Sequence, residues 1–170
     1  MDKYKEFFEI IDDLLKSEKV NQMKKYRQHC DVNTYEHCMN VAFISYSICK
    51  KLKLDYVSAA RAAMLHDLFL YDWREKRPKK KFTDMHAFQH PKIALKNAKT
   101  VTKLNKKEED IILKHMWPVT IIPPKYKEGY VITIADKYSA TMETIEYMKR
   151  KNEKILLFFY NILKGENYEG

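Results

Sequence analysis

Histidines and isolated acidic residues are the part of this sequence that could carry chemistry. His66 and Asp67 are neighbours in an apolar stretch with helical character. His37 lies upstream on a second predicted helix, and Asp136 is a lone acid on a third. Burying such groups is costly unless they are paired or bind a metal. Two imidazoles and two carboxylates suit Mn, Fe, Co, Ni, Zn or Mg with bound water. The spacing alone leaves an alternative open, because any helical bundle can scatter four such residues and a core histidine can lie beside a partly exposed aspartate.

Hydrophobic periodicity predicts the elements that must position these residues. Asn33, Asp55 and Asn105 each precede an apolar helical pattern as candidate N-caps. Helices are expected at about 3–16, 33–52, 55–68, 90–101, 105–115, 126–149 and 152–163. The His66-Asp67 pair would then lie within the 55–68 helix, which is rich in small residues. No internal repeat or linker is visible, so residues 1–170 are expected to form one all-α domain, a bundle of about seven helices.

The glycine content excludes several common enzyme folds. Only three of the 170 residues are glycine, where an average usage of about 7% would give roughly twelve. Rossmann folds and P-loop enzymes need glycine where the backbone approaches phosphate, and tight hairpins need it for positive φ. Hydrophobic residues make up 45% of the chain and charged residues 32%. These values favour a mostly helical globular domain.

The formal net charge of +9 permits an anionic partner. A small phosphate-containing substrate fits this charge, and nucleic acid is a weaker possibility, because lysines scattered over solvated helix faces would give the same total. Three cysteines without a CxxC pair argue against a disulfide framework. The chain opens on an amphipathic pattern, and no apolar run approaches the roughly 18 residues of a membrane span. A cytoplasmic protein that does not contact membrane is therefore expected, in an oligomeric state that the sequence leaves open.

The order of these residues resembles the signature of the HD-domain metal-dependent phosphohydrolases. The resemblance covers about residues 33–145, with helices 3–16 and 152–163 expected to pack on this core. The segments that carry it are YEHCMNVA at 35–42, AMLHDL at 63–68, HPKIA at 90–94, IILKH at 111–115 and IADK at 134–137. The chain looks closest to the small stand-alone bacterial HD proteins. The GYP motif of the cyclic dinucleotide phosphodiesterases in this superfamily is absent.

The resemblance implies a ligand set for one or two divalent ions. The first ion would be held by four residues, which are His37, His66, Asp67 and Asp136. His90 and His115 match the two further histidines of the two-metal subfamilies, in which Asp67 would bridge the ions. His86, four residues before His90, is a possible third ligand of the second ion, a phosphate contact or a surface residue. His29 lies in a polar stretch and is expected at the surface.

The activity implied by the resemblance is hydrolysis of a phosphate ester or anhydride in a nucleotide-like substrate. Asp67 would orient the attacking water or take its proton. Arg61 and Lys137 would contact the phosphate, although each can also be interpreted as an ordinary solvated charge. A basic loop at 74–81 would line the cleft. Two other functions remain open. One is an HD-type di-iron oxygenase that uses dioxygen and the same six ligands, and the other is a non-catalytic metal-binding or RNA-associated module.

Overall fold

The computed structural model describes residues 3–74 and 85–164, and the side chains of 157–164 fall outside that description. The α-helices within these residues are α1 (Lys3–Leu15), α2 (Glu18–Gln22), α3 (Thr34–Lys51), α4 (Tyr56–Leu65), α5 (His86–Val101), α6 (Lys106–Lys114) and α7 (Lys127–Lys164). A 3₁₀ turn at Met23–Lys25 leads into a small antiparallel hairpin, β1 (Arg27–His29) with β2 (Val32–Asn33). The expected all-α architecture is confirmed. Of the predicted basic loop at 74–81, only Arg74 lies within the described residues.

Helix α4 is the centre of the bundle. It packs most extensively against α3 and also contacts α1, α5, α6 and α7. Its small residues Ser58, Ala59, Ala60, Ala62 and Ala63 are all buried. Small side chains allow neighbouring helices to approach closely, so this composition explains why α4 can be surrounded. The helices that carry the candidate site residues are thereby brought around one end of α4.

Capping side chains set the starts of three helices as the sequence predicts. The Asp55 carboxylate accepts a hydrogen bond from the Ser58 amide at 3.0 Å, which satisfies a free amide at the start of α4. Asn105 and Glu108 form a complete capping box at the start of α6. Asn33 caps α3 with its side chain alone. Helices α3, α4 and α6 therefore begin where local chemistry dictates.

Helix α4 ends earlier than the apolar pattern predicts. Its last residue is Leu65, and His66 is its C-cap, so the expectation that the His66-Asp67 pair lies inside a helix is wrong. The chain turns through the following residues and reaches a positive φ of 51° at Leu70. Because Leu68 and Phe69 are buried in this turn, the hydrophobic pattern continues past the true helix end. The His66-Asp67 pair therefore lies at the end of α4 rather than within it.

Two further helix boundaries differ from the prediction. Helix α5 begins at His86 rather than at His90, so Pro91 lies inside the helix. The two helices expected at 126–149 and 152–163 are one continuous helix, α7, because no proline or glycine interrupts the sequence between them. Residues 152–156 of α7 are exposed, so packing of the C-terminal segment on the core stays a prediction. Among the described helices none combines the length and the apolar character that crossing a membrane requires.

Candidate metal centre

Five helices bring the six predicted ligands together. Helix α3 contributes His37, the end of α4 contributes His66 with Asp67, and α7 contributes Asp136. The remaining two histidines come from the first half of α5 and from the C-cap of α6; they are His90 and His115. All four imidazoles are buried and Asp67 is 2% exposed, whereas the Asp136 side chain is 13% exposed. Six residues spread over 100 positions of sequence thus form one buried cluster.

The first donor group consists of His37, His66 and Asp136, together with Asp67. Donor atoms of the first three residues lie within 4.8 Å of one another. His37 Nε2 is 3.0 Å from Asp136 Oδ1, and His66 Nε2 is 3.7 Å from the same oxygen. Asp67 Oδ2 lies 3.5 Å from His66 Nε2. These atoms converge closely enough to surround one small cation.

The second donor group consists of His90, His115 and the same Asp67. The Nε2 atoms of the two histidines are 2.8 Å apart. Asp67 Oδ1 lies 3.2 Å from His90 Nε2 and 3.5 Å from His115 Nε2. Each oxygen of the Asp67 carboxylate therefore faces a different donor group. This is the placement that a carboxylate needs in order to bridge two ions.

Backbone carbonyls determine how three of the imidazoles are oriented. The Nδ1 atom of His66 lies 2.6 Å from the Ala63 carbonyl oxygen. The Nδ1 atoms of His90 and His115 each lie 2.8 Å from a carbonyl oxygen on their own helix. Because a carbonyl can only accept, each Nδ1 carries a hydrogen, and each ring directs its Nε2 atom inward. Lone pairs 2.8 Å apart repel each other unless a cation or a proton lies between them.

Buried polar atoms without a hydrogen-bond partner indicate whether the residues fit a metal ion. His66 Nε2 and Asp67 Oδ1 are fully buried and lack a hydrogen-bond partner among the described residues. Leaving such atoms unsatisfied costs about 1–3 kcal/mol each. A divalent cation in the first donor group would be ligated by His66 Nε2 and one in the second by Asp67 Oδ1, and imidazole nitrogens with carboxylate oxygens are an established donor set for such ions. The residues present therefore fit a metal centre.

Burial and neighbouring charges shift the pKa of several groups in the centre. Burial opposes ionisation of Asp67 and Asp136, but the surrounding imidazoles hold the pKa of each carboxyl below its usual value. Burial, reinforced by the neighbouring imidazoles, lowers the pKa of His115 to about 3. Burial alone would lower the pKa of His37, yet its hydrogen bonds to Asp136 and Glu143 raise it to about 10. The carboxylate of Asp67 likewise raises the pKa of His66 despite burial. At neutral pH the metal-free centre thus holds ionised carboxylates, a neutral imidazole at His115 and protonated imidazoles at His37 and His66, so a dication would bind by displacing protons from these two rings.

Comparison with known proteins agrees with this geometry. The HD domain family model matches residues 34–141, which is more than half of the chain. The chain belongs to the HD domain family. Membership places it in a superfamily of the metal-dependent hydrolase type. Searches among curated proteins and among solved structures returned no significant match.

Two residues outside the matched segment contact predicted ligands and were missed by sequence reasoning. The buried Glu143 lies with both carboxylate oxygens 3.0–3.1 Å from His37 Nδ1. It follows Asp136 by seven residues, or two helical turns, so its position on the inward face of α7 was a usable signal. Gln28 on β1 donates its side-chain amide to Asp67 Oδ2. No sequence signal points to Gln28, because a lone glutamine in a short strand has no characteristic spacing.

Two other histidines lie next to the predicted metal ligands. The expectation that His29 is a surface residue is wrong, since it is half-buried with its ring 5.1 Å from that of His37. His86 stacks on His90 with ring centroids 4.4 Å apart, and its Nδ1 is 3.0 Å from the Tyr71 hydroxyl. These contacts place His86 beside the second donor group, and its role as a further ligand stays a prediction.

The two predicted phosphate contacts lie in different surroundings. Lys137 is exposed and follows Asp136 directly on α7. The Arg61 guanidinium instead faces α1, where it donates to the Ile10 carbonyl at 2.9 Å and to both carboxylate oxygens of Asp13. It also lies 3.6 Å from the buried Glu108. The structure does not bring Arg61 to the predicted metal ligands. Its contacts instead indicate that it holds α1 against α4 and α6.

Arg61→Ala is expected to lower stability and leave the metal content unchanged. Asp13 is half-exposed, so its ion pair contributes little. Loss of the hydrogen bond to Ile10 and of the cation beside buried Glu108 should cost about 1–3 kcal/mol. Urea unfolding of the metal-free protein measures this loss, with Lys16→Ala, an exposed residue directly after α1, as the control. A normal unfolding midpoint together with reduced metal content would contradict the structural assignment of Arg61.

Proposed function

We propose that this HD domain is a metal-dependent phosphohydrolase that cleaves a phosphate ester or anhydride in a nucleotide-like substrate. The observation that carries the proposal is the position of Asp67 between two donor groups, with one oxygen toward each. Pairs of divalent ions joined by such a group are suited to displacement at phosphorus, where both the attacking and the leaving oxygen need stabilisation. Membership of a metal-dependent hydrolase superfamily supports the same reaction class.

The residues of the chain would hold the ions and orient the nucleophile. A bound divalent ion lowers the pKa of water and polarises a phosphoryl oxygen. Asp67 is the acid that reaches both groups, so it would orient the nucleophilic water or accept its proton. Gln28 donates to Asp67 Oδ2 and restricts rotation of the carboxylate. Asp136 is the most exposed of the six ligands and indicates the side from which substrate would approach.

Positive charge near this approach would offset the charge of the substrate phosphate. Lys137 is exposed directly beside Asp136. Arg74 is exposed too, although Asp72 already pairs with its guanidinium at 2.7 Å. The net charge of +9 is compatible with an anionic substrate and selects none. Lys137 is therefore the described cation that we propose as a phosphate contact.

Lys137→Ala is expected to lower kcat/KM about 10- to 100-fold without changing the metal content. A charge-assisted contact to phosphate contributes about 1.5–3 kcal/mol, and its loss in the transition state gives a decrease of that size. Steady-state kinetics and metal analysis of the variant measure both quantities. Lys149→Ala, which removes an exposed lysine further along α7, is the matched control. Equal kinetics in the two variants would remove Lys137 from the proposed site.

Substrate and metal are tested together in one experiment. Metal-free protein is supplied separately with Mn, Co, Ni, Fe or Mg and assayed for phosphate release against nucleotides and generic phosphodiesters. Hydrolysis of at least one compound, dependent on added metal, is expected. Absence of hydrolysis with every combination in a protein that binds metal would contradict the proposal.

Two competing functions give different results in the same preparation. An HD-type di-iron oxygenase would use the same six ligands, but it would require dioxygen, so turnover would stop under anaerobic conditions. An RNA-associated module would bind RNA tightly with a steep dependence on salt concentration and would hydrolyse nothing. Hydrolysis that persists without oxygen is the outcome expected for a phosphohydrolase.

A further inference from the structure

Glu143 is a buried acid that the proposed reaction does not use. Its carboxylate is 6% exposed. Both oxygens face His37 Nδ1, at 3.0 Å and 3.1 Å. Within the described residues no lysine or arginine forms an ion pair with it. A buried carboxylate needs a partner, and for Glu143 this partner is the imidazole of a predicted ligand.

His37 is held differently from the other three histidines. The Nδ1 atoms of His66, His90 and His115 face backbone carbonyls of their own helices. His37 Nδ1 faces a carboxylate from another helix, and its Nε2 faces Asp136. An ionised carboxylate accepts more strongly than a neutral carbonyl and increases the basicity of the opposite ring nitrogen.

We propose that Glu143 is a positioning residue that orients His37 and sets the affinity of the first donor group for its ion. The carboxylate accepts the Nδ1 hydrogen of His37, so Nε2 is held facing Asp136 and would bind an ion there once it gives up the hydrogen that it donates to Asp136 Oδ1. Glu143 and Asp136 lie two turns apart on α7, and one helix therefore carries both a ligand and the support of another ligand. This inference rests on the metal centre of the proposed function.

A separate cation site is the competing explanation of the same residues. Donor atoms of His29, His37 and Glu143 also lie within 4.8 Å of one another. A cation there would need His37 Nδ1 as a ligand while Nε2 serves the first donor group. The ring would then have to lose both of its hydrogens and bridge two ions. A hydrogen bond from His37 to Glu143 needs no such change and satisfies the same contacts.

Cobalt binding to the full chain tests the role of Glu143. Metal-free protein is titrated with Co²⁺ against a competing chelator, and the absorbance of bound cobalt gives the affinity of each ion. Glu143→Ala is expected to weaken binding of one ion about 10- to 100-fold, as for other supporting carboxylates. Glu143→Gln should give an intermediate affinity, because its side-chain oxygen still accepts the Nδ1 hydrogen but lacks the charge. Glu146→Ala, one turn further on the exposed face, should bind like the unmodified chain.

Each outcome distinguishes between the explanations. Equal affinities for Glu143→Ala and the unmodified chain would overturn the positioning role. Loss of one entire ion in both Glu143→Ala and His29→Ala, with the first group still occupied, would establish the separate cation site instead. If Glu143→Ala does not fold, the nearly isosteric Glu143→Gln variant is used for the test instead. An affinity of Glu143→Gln for Co²⁺ equal to that of the unmodified chain would then contradict the proposal. An unmodified chain that binds no Co²⁺ would contradict the metal centre itself.

Discussion

Asp67→Asn is expected to remove both ions and to lower hydrolysis at least about 10³-fold. The carboxylate is the only predicted ligand that lies within 3.5 Å of donor atoms in both groups among the described residues. Asparagine keeps the size of the side chain but removes the negative charge that balances a dication. Because the side chain lies beyond the end of α4, helix content should stay the same.

Elemental analysis after dialysis, circular dichroism and the hydrolysis assay measure the three expectations for Asp67→Asn. Asp12→Asn, which changes an exposed aspartate on α1, is the control and should behave like the unmodified chain. A folded Asp67→Asn protein that keeps both ions would show that Asp67 does not bridge the donor groups. Metal loss accompanied by loss of helix content would instead assign the residue a role in folding.

His90→Ala is expected to reduce bound metal from two ions to one and to lower hydrolysis about 10²-fold. Its Nε2 is 2.8 Å from His115 Nε2 and 3.2 Å from Asp67 Oδ1, so its removal opens the second donor group. The first donor group lies on other helices and should keep its ion. His115→Ala should reproduce the result, since it removes the other imidazole of the pair.

The matched control for His90→Ala is His86→Ala, one turn earlier on α5. His86 stacks on His90, and its Nδ1 faces the Tyr71 hydroxyl. If this arrangement persists when metal binds, His86→Ala should keep two ions. A loss of one ion in His86→Ala would make His86 a ligand, which is the role that the sequence left open. Two ions retained in both His90→Ala and His115→Ala would contradict the second donor group.

Much of the site was predictable because it depends on residue type and local chemistry. Lone acids and imidazoles in apolar segments indicate His37, His66, Asp67 and Asp136 as candidates, and the family resemblance adds His90 and His115. The starts of α3, α4 and α6 were predictable because a capping side chain acts on amides two or three residues away. The central position of α4 followed from its small residues, which are a property of composition.

Residues that act across helices were not predictable in the same way. The position of Arg61 before His66 predicts a phosphate contact. In the structure, the packing of α1 instead supplies Asp13 and the Ile10 carbonyl as its partners. In the sequence, Glu143 looks like an ordinary acidic residue of a helix. Its role becomes visible only in the structure, where α3 places His37 opposite it. Both assignments depend on which helix packs beside which, and sequence spacing along one helix carries no such information.

The sequence by itself determined the helical class and the capped starts of three helices, and through its family resemblance it proposed the set of candidate metal ligands. Tertiary structure decided where α4 ends and which oxygen of Asp67 faces which histidines. The physical reason is the range of the interactions. Helix propensity and capping act within a few residues, whereas the contacts around Asp67 join groups up to 48 positions apart in sequence. Only the packed bundle brings such groups within bonding distance.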